Sequence, residues 1–320
     1  MQEYFDHEHQ QAVAKLRSSS IARAEWPTWI VIVAVYGSWL GTLFLLHTGQ
    51  IGLVTAAPLL IVSTAWYMSL QHELLHGHPT RIEWINRLLG YAPLAIWYPY
   101  TLYRDTHIAH HDDERLTMPA VDPESNYVLP QAWEKMSRLK RTLWQARKTF
   151  VGRLIIGPPM MVSSLARHTV QDWLHGDFRY LRMWCVHAVL VSGLLIAMHH
   201  WSGVSVWYYL VVIAWPAQSI AMIRSFYEHR AVSTAKARIA INEAGPLMRL
   251  LFLNNNYHLV HHDLPSLPWY LLPRVYRMRE AEYIDKCDGF HIRGGYTELF
   301  RRYAFRAPDA PMHPFADGVQ

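Results

Sequence analysis

Four long uncharged runs constrain the fold of this chain more than any other feature of its sequence. Residues 29–46 and 51–70, and later 183–198 and 204–223, contain no Asp, Glu, Lys or Arg. A helix needs about 20 apolar residues to cross the hydrocarbon core of a bilayer. Two short turns join the runs in pairs. The sequence therefore predicts an all-α integral membrane protein with four transmembrane helices in two hairpins and a helical cytoplasmic cap.

The basic residues support this arrangement and predict its sidedness. All 30 Lys and Arg residues lie before the first pair of runs, between the pairs, or after the second pair. Because cytoplasmic loops of membrane proteins carry an excess of Lys and Arg, we expect both termini and the middle region in the cytoplasm. Attraction to anionic lipid then accounts for a pI of about 9.1, and no nucleic-acid partner is predicted. The predicted segments are a cytoplasmic 1–28, a first transmembrane hairpin 29–71, a cytoplasmic region 72–182, a second hairpin 183–226 and a cytoplasmic region 227–320.

Two further apolar segments are expected at the membrane interface or as re-entrant pieces, not as spans. Residues 151–170 are interrupted by Gly157-Pro158-Pro159, and Arg153 and Arg167 flank too short a stretch. Residues 88–102 combine aromatic residues with several prolines. The tail that follows residue 307 is expected to form loop.

Histidine is the second outstanding feature, with 20 residues in the chain. Eight of them form three boxes, HxxxH at 72–76, HxxHH at 107–111 and HxxHH at 258–262, which we expect on the cytoplasmic side. Residues at i, i+3 and i+4 share one helix face with Cβ atoms ~5–6 Å apart, so each box can offer two or three imidazoles to one ion. Eight imidazoles exceed the four ligands of a closed zinc site and suit two ions. The spacing does not identify the metal, because imidazole binds Fe, Zn, Cu and Ni.

The order of the boxes resembles that of the membrane fatty acid desaturase and hydroxylase superfamily. The resemblance extends over about residues 28–290 and implies two non-haem iron ions held by nine histidines, the ninth outside the boxes. His229 follows the fourth uncharged run at a matching place, and His78 is a further possible ligand. The metal ligands that the resemblance implies are His72, His76, His107, His110, His111, His229, His258, His261 and His262. No catalytic residue beyond these ligands and no organic-cofactor site is predicted.

Polar neighbours of the boxes are candidates for orienting the ligands. A metal-bound histidine generally donates its second N–H to a carboxylate or carbonyl. The flanking carboxylates are Glu73, Asp105, Asp112, Asp113, Glu228 and Asp263. Family members can also use an Asn near the ninth histidine; Ser225 stands at that place here, and 254–256 supply three Asn residues that could replace it.

The other histidines are expected away from the metal site. His199 and His200 are predicted on the opposite side of the membrane. His7, His9, His291 and His313 are predicted in loops or tails.

The resemblance implies an O₂-dependent oxidoreductase that abstracts hydrogen from an unactivated C–H bond of a lipid-like substrate. We predict fatty acyl desaturation, and hydroxylation of an alkyl, carotenoid or small-molecule substrate is the alternative within the family. The sequence contains no Gly-rich flavin or nicotinamide motif, and Cys185 and Cys287 form no CxxC pair. Electrons are therefore expected from a separate ferredoxin, rubredoxin or cytochrome b5 with its reductase. Trp66, Trp97 and Tyr98 are candidates for the substrate path or for an interfacial aromatic belt.

Two other functional classes fit part of the pattern. His72, Glu73 and His76 form a literal HExxH, in which the Glu of a zinc metalloprotease acts as general base. An intramembrane protease of this kind leaves both HxxHH boxes without a role. A transporter with histidine relays requires polar groups within the spans, and the runs contain scattered Ser and Thr, with Gln71 near an end.

Overall fold

Helices make up most of the chain in the computed structural model, which describes residues 2–112 and 114–315. The α-helices are α1 His7–Arg17, α2 Ser20–Ala24, α3 Trp26–His47, α4 Leu53–Leu75, α5 Glu83–Gly90, α6 Tyr100–His110, α7 Pro130–Glu134, α8 Arg138–Arg147, α9 Phe150–Leu174, α10 Leu181–Ser202, α11 Val206–Tyr208, α12 Trp215–Arg224, α13 Pro246–Leu251, α14 His258–Asp263, α15 Leu272–Met278, α16 Glu280–Lys286 and α17 Gly295–Tyr303. A π-helical stretch, Tyr209–Ala214, joins α11 to α12, and Lys236–Arg238 forms a 3₁₀ turn. Two short strands, β1 Ile241–Asn242 and β2 His291–Ile292, pair in parallel.

The described residues fall into two compact units, each assembled from separate stretches of the chain. The histidine unit contains residues of 1–24, 105–156 and 223–320, and the apolar unit contains residues of 25–104 and 157–222. The first histidine box lies in the apolar unit. The second and third boxes and His229 lie in the histidine unit.

Among the described residues, four helical stretches are long and apolar enough to cross a membrane. They are Trp26–His47, Leu53–Leu75, Leu181–Ser202 and Val206–Arg224, with mean hydropathies between 1.5 and 2.0. The sequence prediction of four such helices is confirmed, and each begins or ends within a few residues of its uncharged run. The most apolar window of α10 is only 11% buried, so its Leu and Val side chains point away from the protein, as lipid contact requires. The pairing into two hairpins and the sidedness stay predictions.

Within the apolar unit, α3 and α4 are neighbours. The rings of Tyr36 and Tyr67 meet edge to face with centroids 5.9 Å apart. The turn between the helices includes Gly49 at φ +71°, a left-handed conformation that glycine adopts without steric cost.

The segment predicted at the interface, 88–102, begins in the last turn of α5 and then loses regular structure until α6. Its backbone is held against α4, because Tyr67 Oη lies 2.6 Å from the carbonyl oxygens of both Gly90 and Ala92, which share its one hydrogen. The amide nitrogen of Gln71 also donates to the Gly90 carbonyl, at 2.9 Å. These buried bonds satisfy carbonyls that no helix or strand would otherwise pair.

Gly90 should not tolerate even a methyl group. A Cβ at this residue would lie 2.5 Å from Cε2 and Cζ of the Tyr100 ring, which is itself buried. We expect Gly90→Ala to reduce the free energy of unfolding by about 1–3 kcal/mol, since the ring must shift within a packed region. Thermal unfolding of the purified protein in detergent measures the effect.

Gly193→Ala on α10 is the matched control for that variant. No heavy atom lies within 4 Å of a Cβ at Gly193. Alanine is favoured over glycine in a helix by up to about 1 kcal/mol, so this variant should be neutral or more stable. Equal stabilities of the two variants would contradict the predicted clash.

The segment predicted to be interrupted at Gly157-Pro158-Pro159 is instead one continuous helix, and that prediction was wrong. The helix α9 runs from Phe150 to Leu174 with both prolines inside it. Each proline removes one backbone N–H, and the hydrogen bonds of the flanking turns are sufficient to continue the helix. α9 does not reach the apolarity of a spanning helix, so four candidate spans remain among the described residues.

The histidine unit combines short helices with the β1–β2 pair, so the all-α prediction holds for most of the chain but misses these strands. In β1 and β2, Ile241 pairs with His291 and Asn242 with Ile292. An ion network around the buried Asp263 also helps to hold this unit together. Asp263 accepts from Lys236 at 3.0 Å and from Lys286 at 2.7 Å, and Glu3 pairs with both lysines.

The start and the end of the chain both belong to this unit. His7 and His9 begin α1 and do not lie in a loop as predicted; the Asp6 side chain caps the helix by accepting from the His9 N–H at 2.7 Å. The described part of the tail after residue 307 has no helix, as predicted, and Val128 forms a bridge with Met312. Residues 316–320 of the predicted tail lie outside the described residues.

Candidate metal centre

The third histidine box forms a short buried helix. In α14, His258 and His262 are one turn apart, and their Nε2 atoms are 3.2 Å apart. His261 lies between them in sequence, and its ring is nearly parallel to that of His258 at a centroid distance of 5.9 Å. The predicted helical geometry of this box is confirmed.

The second box is only partly helical. α6 ends at His110, and His111 is the first residue of the following turn, so the three imidazoles do not share one helix face as predicted. The turn nevertheless places His111 beside His107, with their Nε2 atoms 3.2 Å apart.

His229 reaches the site from an extended segment, not from a helical continuation of the fourth apolar run. α12 ends at Arg224, and Tyr227 at φ +59° turns the chain. His229 then forms an antiparallel bridge with Ile239. This bridge fixes the backbone of His229 through non-local hydrogen bonds, and these cannot be predicted from the local sequence.

Four imidazoles of the histidine unit converge on one point. His229 Nε2 lies 3.0 Å from Nε2 of His110 and 3.0 Å from Nε2 of His258. With His262, these rings offer donor atoms within 4.8 Å of one another. The set contains one histidine from box 2, two from box 3 and the separate His229, and no two of these segments adjoin in the chain.

The other histidines of boxes 2 and 3 form a second convergence in the same unit. His111 Nε2 lies 3.1 Å from His261 Nε2 as well as 3.2 Å from His107 Nε2. The rings of His107 and His261 are nearly parallel, with centroids 6.3 Å apart. His111 also contacts His262 of the four-histidine group, at a centroid distance of 4.4 Å. All seven predicted ligands in this unit therefore lie together.

The first box lies in the apolar unit, at the end of α4. His72 is in the last turn of that helix and His76 directly follows it, with ring centroids 4.8 Å apart. His78 is buried, and its Nδ1 lies 2.7 Å from Oε1 of Glu25, which also accepts from Thr28. This hydrogen bond gives His78 a structural partner, and its role as a metal ligand stays a prediction.

Carboxylates contact the Nδ1 atoms of several cluster histidines, on the side of the ring opposite Nε2. His107 Nδ1 lies 2.8 Å from Glu124, and His110 Nδ1 lies 2.8 Å from Asp122. Since a carboxylate can only accept, each Nδ1 carries a proton, and Nε2 is the nitrogen of each ring that can bind a metal. This is the arrangement in which histidines bind a metal, so the residues present fit a metal site.

Asp122 and Glu124 were missed by the sequence analysis, which considered only carboxylates next to the boxes. Of those, Glu73 lies 3.4 Å from His72 Nδ1 and Glu228 lies 3.8 Å from His258 Nδ1. Asp112 pairs with Arg115, and Asp263 pairs with the two lysines. Asp113 lies outside the described residues.

Among the asparagines and the serine predicted near the ligands, some contact a ligand and others form hydrogen bonds elsewhere. Asn255 accepts from Nδ1 of His258 at 3.4 Å, so one of the three asparagines does contact a ligand. Asn254 and Asn256 instead donate to backbone carbonyls. The Ser225 hydroxyl instead accepts a hydrogen bond from the Arg153 guanidinium, at 3.2 Å.

Several of the remaining histidines have structural partners in the described part of the chain. His9 is buried against Phe5 and Tyr283, and His291 pairs with Glu243 at 2.9 Å. His313 lies 3.1 Å from the hydroxyl of Thr117. His199 and His200 are at the end of α10 and contact each other.

Electrostatics keep most of the cluster neutral. Burial lowers the pKa of His229, His258 and His262 well below the ordinary value, and neighbouring imidazoles lower it further. Burial also opposes the charge on His110, but Glu124 and Asp122 outweigh it and raise the pKa of that ring to about 9. A cation that binds here must therefore displace one proton, and the other ligands are already in the neutral form that binds metal.

Comparison with known proteins adds an independent finding. A family model described as fatty acid desaturase matches residues 50–293, a range that contains every predicted ligand. A search of curated proteins gave no significant match.

Proposed function

Because the chain belongs to the fatty acid desaturase family, we propose that it introduces a double bond into a fatty acyl chain, with O₂ as co-substrate and two iron ions as cofactor. The observation that supports this most directly is the convergence of His110, His229, His258 and His262, whose donor atoms lie within 4.8 Å of one another. A membrane protein with four apolar helices is suited to a substrate that resides in the bilayer.

The proposed ligands of the two ions are the nine histidines that the sequence predicts. Seven of them are supported by their proximity in the histidine unit, and the eighth and ninth, His72 and His76, by the sequence pattern. When bound, the iron pair supplies the activation of O₂ and the removal of hydrogen from an unactivated C–H bond.

Two carboxylates of the protein fix which ring nitrogen of two proposed ligands faces the metal. Asp122 and Glu124 hold a proton on Nδ1 of His110 and His107, so that Nε2 is the atom of each ring that would bind the cation, after His110 has released its second proton. His107, His110, His258, His261 and His262 are each at most 3% exposed, which excludes bulk water from reactive species. The proposed reaction also needs an external electron donor of the ferredoxin, rubredoxin or cytochrome b5 type.

We further propose that both termini and the metal site are cytoplasmic. The distribution of Lys and Arg around the apolar runs supports this orientation. Hydroxylation uses the same ligands and is the second outcome that the site supports. A zinc protease based on His72, Glu73 and His76 has no role for the imidazole cluster of boxes 2 and 3.

Product analysis of cells that express the chain tests the proposal. We expect a lipid product that has lost two hydrogens, together with about two iron ions per purified chain. His107→Ala and His261→Ala should each remove the product, and His200→Ala, at the end of α10, should leave it unchanged. A product that has gained one oxygen would identify the hydroxylase alternative. Near-stoichiometric zinc without iron, with product formation that survives both cluster variants, would overturn the oxidoreductase assignment.

A further inference from the structure

The apolar unit contains a cavity of about 560 Å³ that the reaction chemistry does not account for. It is bounded by the end of α4, by the segment from Arg87 to Thr101 and by the start of α10. Arginines line one part of the cavity, and aliphatic side chains line another.

The polar part of the cavity has an excess of positive charge. Arg87, Arg179 and Arg182 line it, and none of the lining residues is acidic. Arg87 shares the carboxylate of Glu83 with Arg104, at 2.7 and 2.8 Å, and Arg179 pairs with Asp177 at 2.6 Å.

Arg182 is the arginine without a carboxylate. It has no hydrogen bond or ion pair with any described residue, and it lies in the first turn of α10. The start of a long helix has a partial positive charge, so both features favour an anion at this place.

The apolar part of the cavity continues along α10. Met183, Val186 and Leu190 are spaced at i, i+3 and i+7, so they form one stripe of the helix. Val186 is 44% exposed and Leu190 is 36% exposed, although both are aliphatic. This stripe belongs to a helix apolar enough to cross the membrane, so it leads from the arginines towards the hydrocarbon.

Gln71 provides a second polar feature of the cavity. Its side chain is only 2% exposed, and its amide nitrogen is used by Tyr67 Oη and the Gly90 carbonyl. Its Oε1 is buried and has no hydrogen-bond partner among the described residues. An unpaired buried acceptor is costly, so this atom favours a ligand that brings a hydroxyl donor.

We propose that this cavity binds a membrane glycerophospholipid with an anionic, hydroxyl-bearing head group at Arg179 and Arg182, and with an acyl chain along Met183, Val186 and Leu190. An anion with no hydrocarbon would leave the aliphatic stripe unused, and a neutral lipid would leave Arg182 uncompensated. The site is independent of the proposed reaction, because it concerns which lipid the apolar unit holds.

Native mass spectrometry of the full-length protein, released from nanodiscs, tests the proposal. We expect phosphatidylglycerol to be retained and phosphatidylcholine to be lost. Arg182→Gln should weaken retention of phosphatidylglycerol about fivefold, since one arginine near a membrane surface contributes about 1 kcal/mol to binding of anionic lipid. Arg167→Gln is the matched control, because Arg167 is also exposed but lies outside the cavity.

A second variant separates a lipid from a free phosphate. Val186→Trp should obstruct the acyl stripe and reduce retention of phosphatidylglycerol, and competition by glycerol 3-phosphate should stay weak in all variants. Equal retention of both lipids, or no difference between Arg182→Gln and Arg167→Gln, would overturn the proposal. It would also be overturned if glycerol 3-phosphate displaced the lipid efficiently and Val186→Trp had no effect. Unchanged metal content and thermal stability show that the variants remain folded.

Discussion

Replacing His229 with alanine is expected to reduce product formation by more than about 100-fold and to lower the metal content from two ions to one. His229 Nε2 is 3.0 Å from the corresponding atoms of both His110 and His258, so it contacts one ligand of box 2 and one of box 3 within the four-histidine group. Loss of even an outer partner of a metal ligand costs ~10–100-fold, and loss of a ligand should cost more. Elemental analysis of the purified protein and quantification of its lipid product measure both effects.

His200→Ala is the control, since it removes an exposed imidazole from the end of α10. It should retain the metal and the activity of the unmodified protein. If His229→Ala keeps both ions and at least half of the activity, His229 is not a ligand.

Asp122→Ala is expected to have the second-largest effect, on stability as well as on metal affinity. The Asp122 carboxylate is buried and accepts three hydrogen bonds, from His110 Nδ1 at 2.8 Å and from the N–H groups of Thr117 and Glu124 at 2.9 Å each. Each buried donor left unpaired costs about 1–3 kcal/mol. We expect a loss of about 2–4 kcal/mol in unfolding free energy and a ~10–100-fold weaker affinity for the metal.

Two further variants test how much of these effects on stability and on metal affinity is specific to Asp122. Glu124→Gln changes the carboxylate behind His107 but keeps an oxygen acceptor, so its effect should be smaller than that of Asp122→Ala. Asp112→Ala removes an exposed carboxylate that forms a surface ion pair with Arg115, and should change stability by less than about 0.5 kcal/mol. Chemical unfolding and metal titration give the two quantities. Indistinguishable results for Asp112→Ala and Asp122→Ala would contradict the role assigned to Asp122.

The spans and the boxes could be predicted because both depend on local patterns. An uncharged run of sufficient length forms an apolar helix whatever surrounds it, and an HxxHH spacing brings two imidazoles together within a single turn. α14 shows this directly, with His258 and His262 in contact across one turn. The family resemblance added His229, which no spacing rule would have selected.

The polar groups that orient the ligands could not be predicted, because their contacts are made by chain folding. Asp122 is 12 residues from His110, and Glu124 is 17 residues from His107, so neither looks like part of a box. Asp263 is adjacent to His262 in sequence but points to two lysines. Glu25 contacts His78 from 53 residues away. A charged residue next to a box therefore need not contact a histidine of that box, and a charged residue far away in sequence can do so.

The histidine unit is built from three stretches of chain, and this has a consequence for how the protein matures. His110 and His229 are 119 residues apart, and His111 and His261 are 150 residues apart. A metal ion that joins such distant residues acts as a cross-link, and closing a loop of about 100 residues restricts the unfolded chain by roughly 4–5 kcal/mol. The ions can bind only when residue 262 has been synthesised, after all four apolar helices. Metal loading would therefore follow synthesis of these helices, and a chain without its metal would lack the cross-links and be more open to proteolysis.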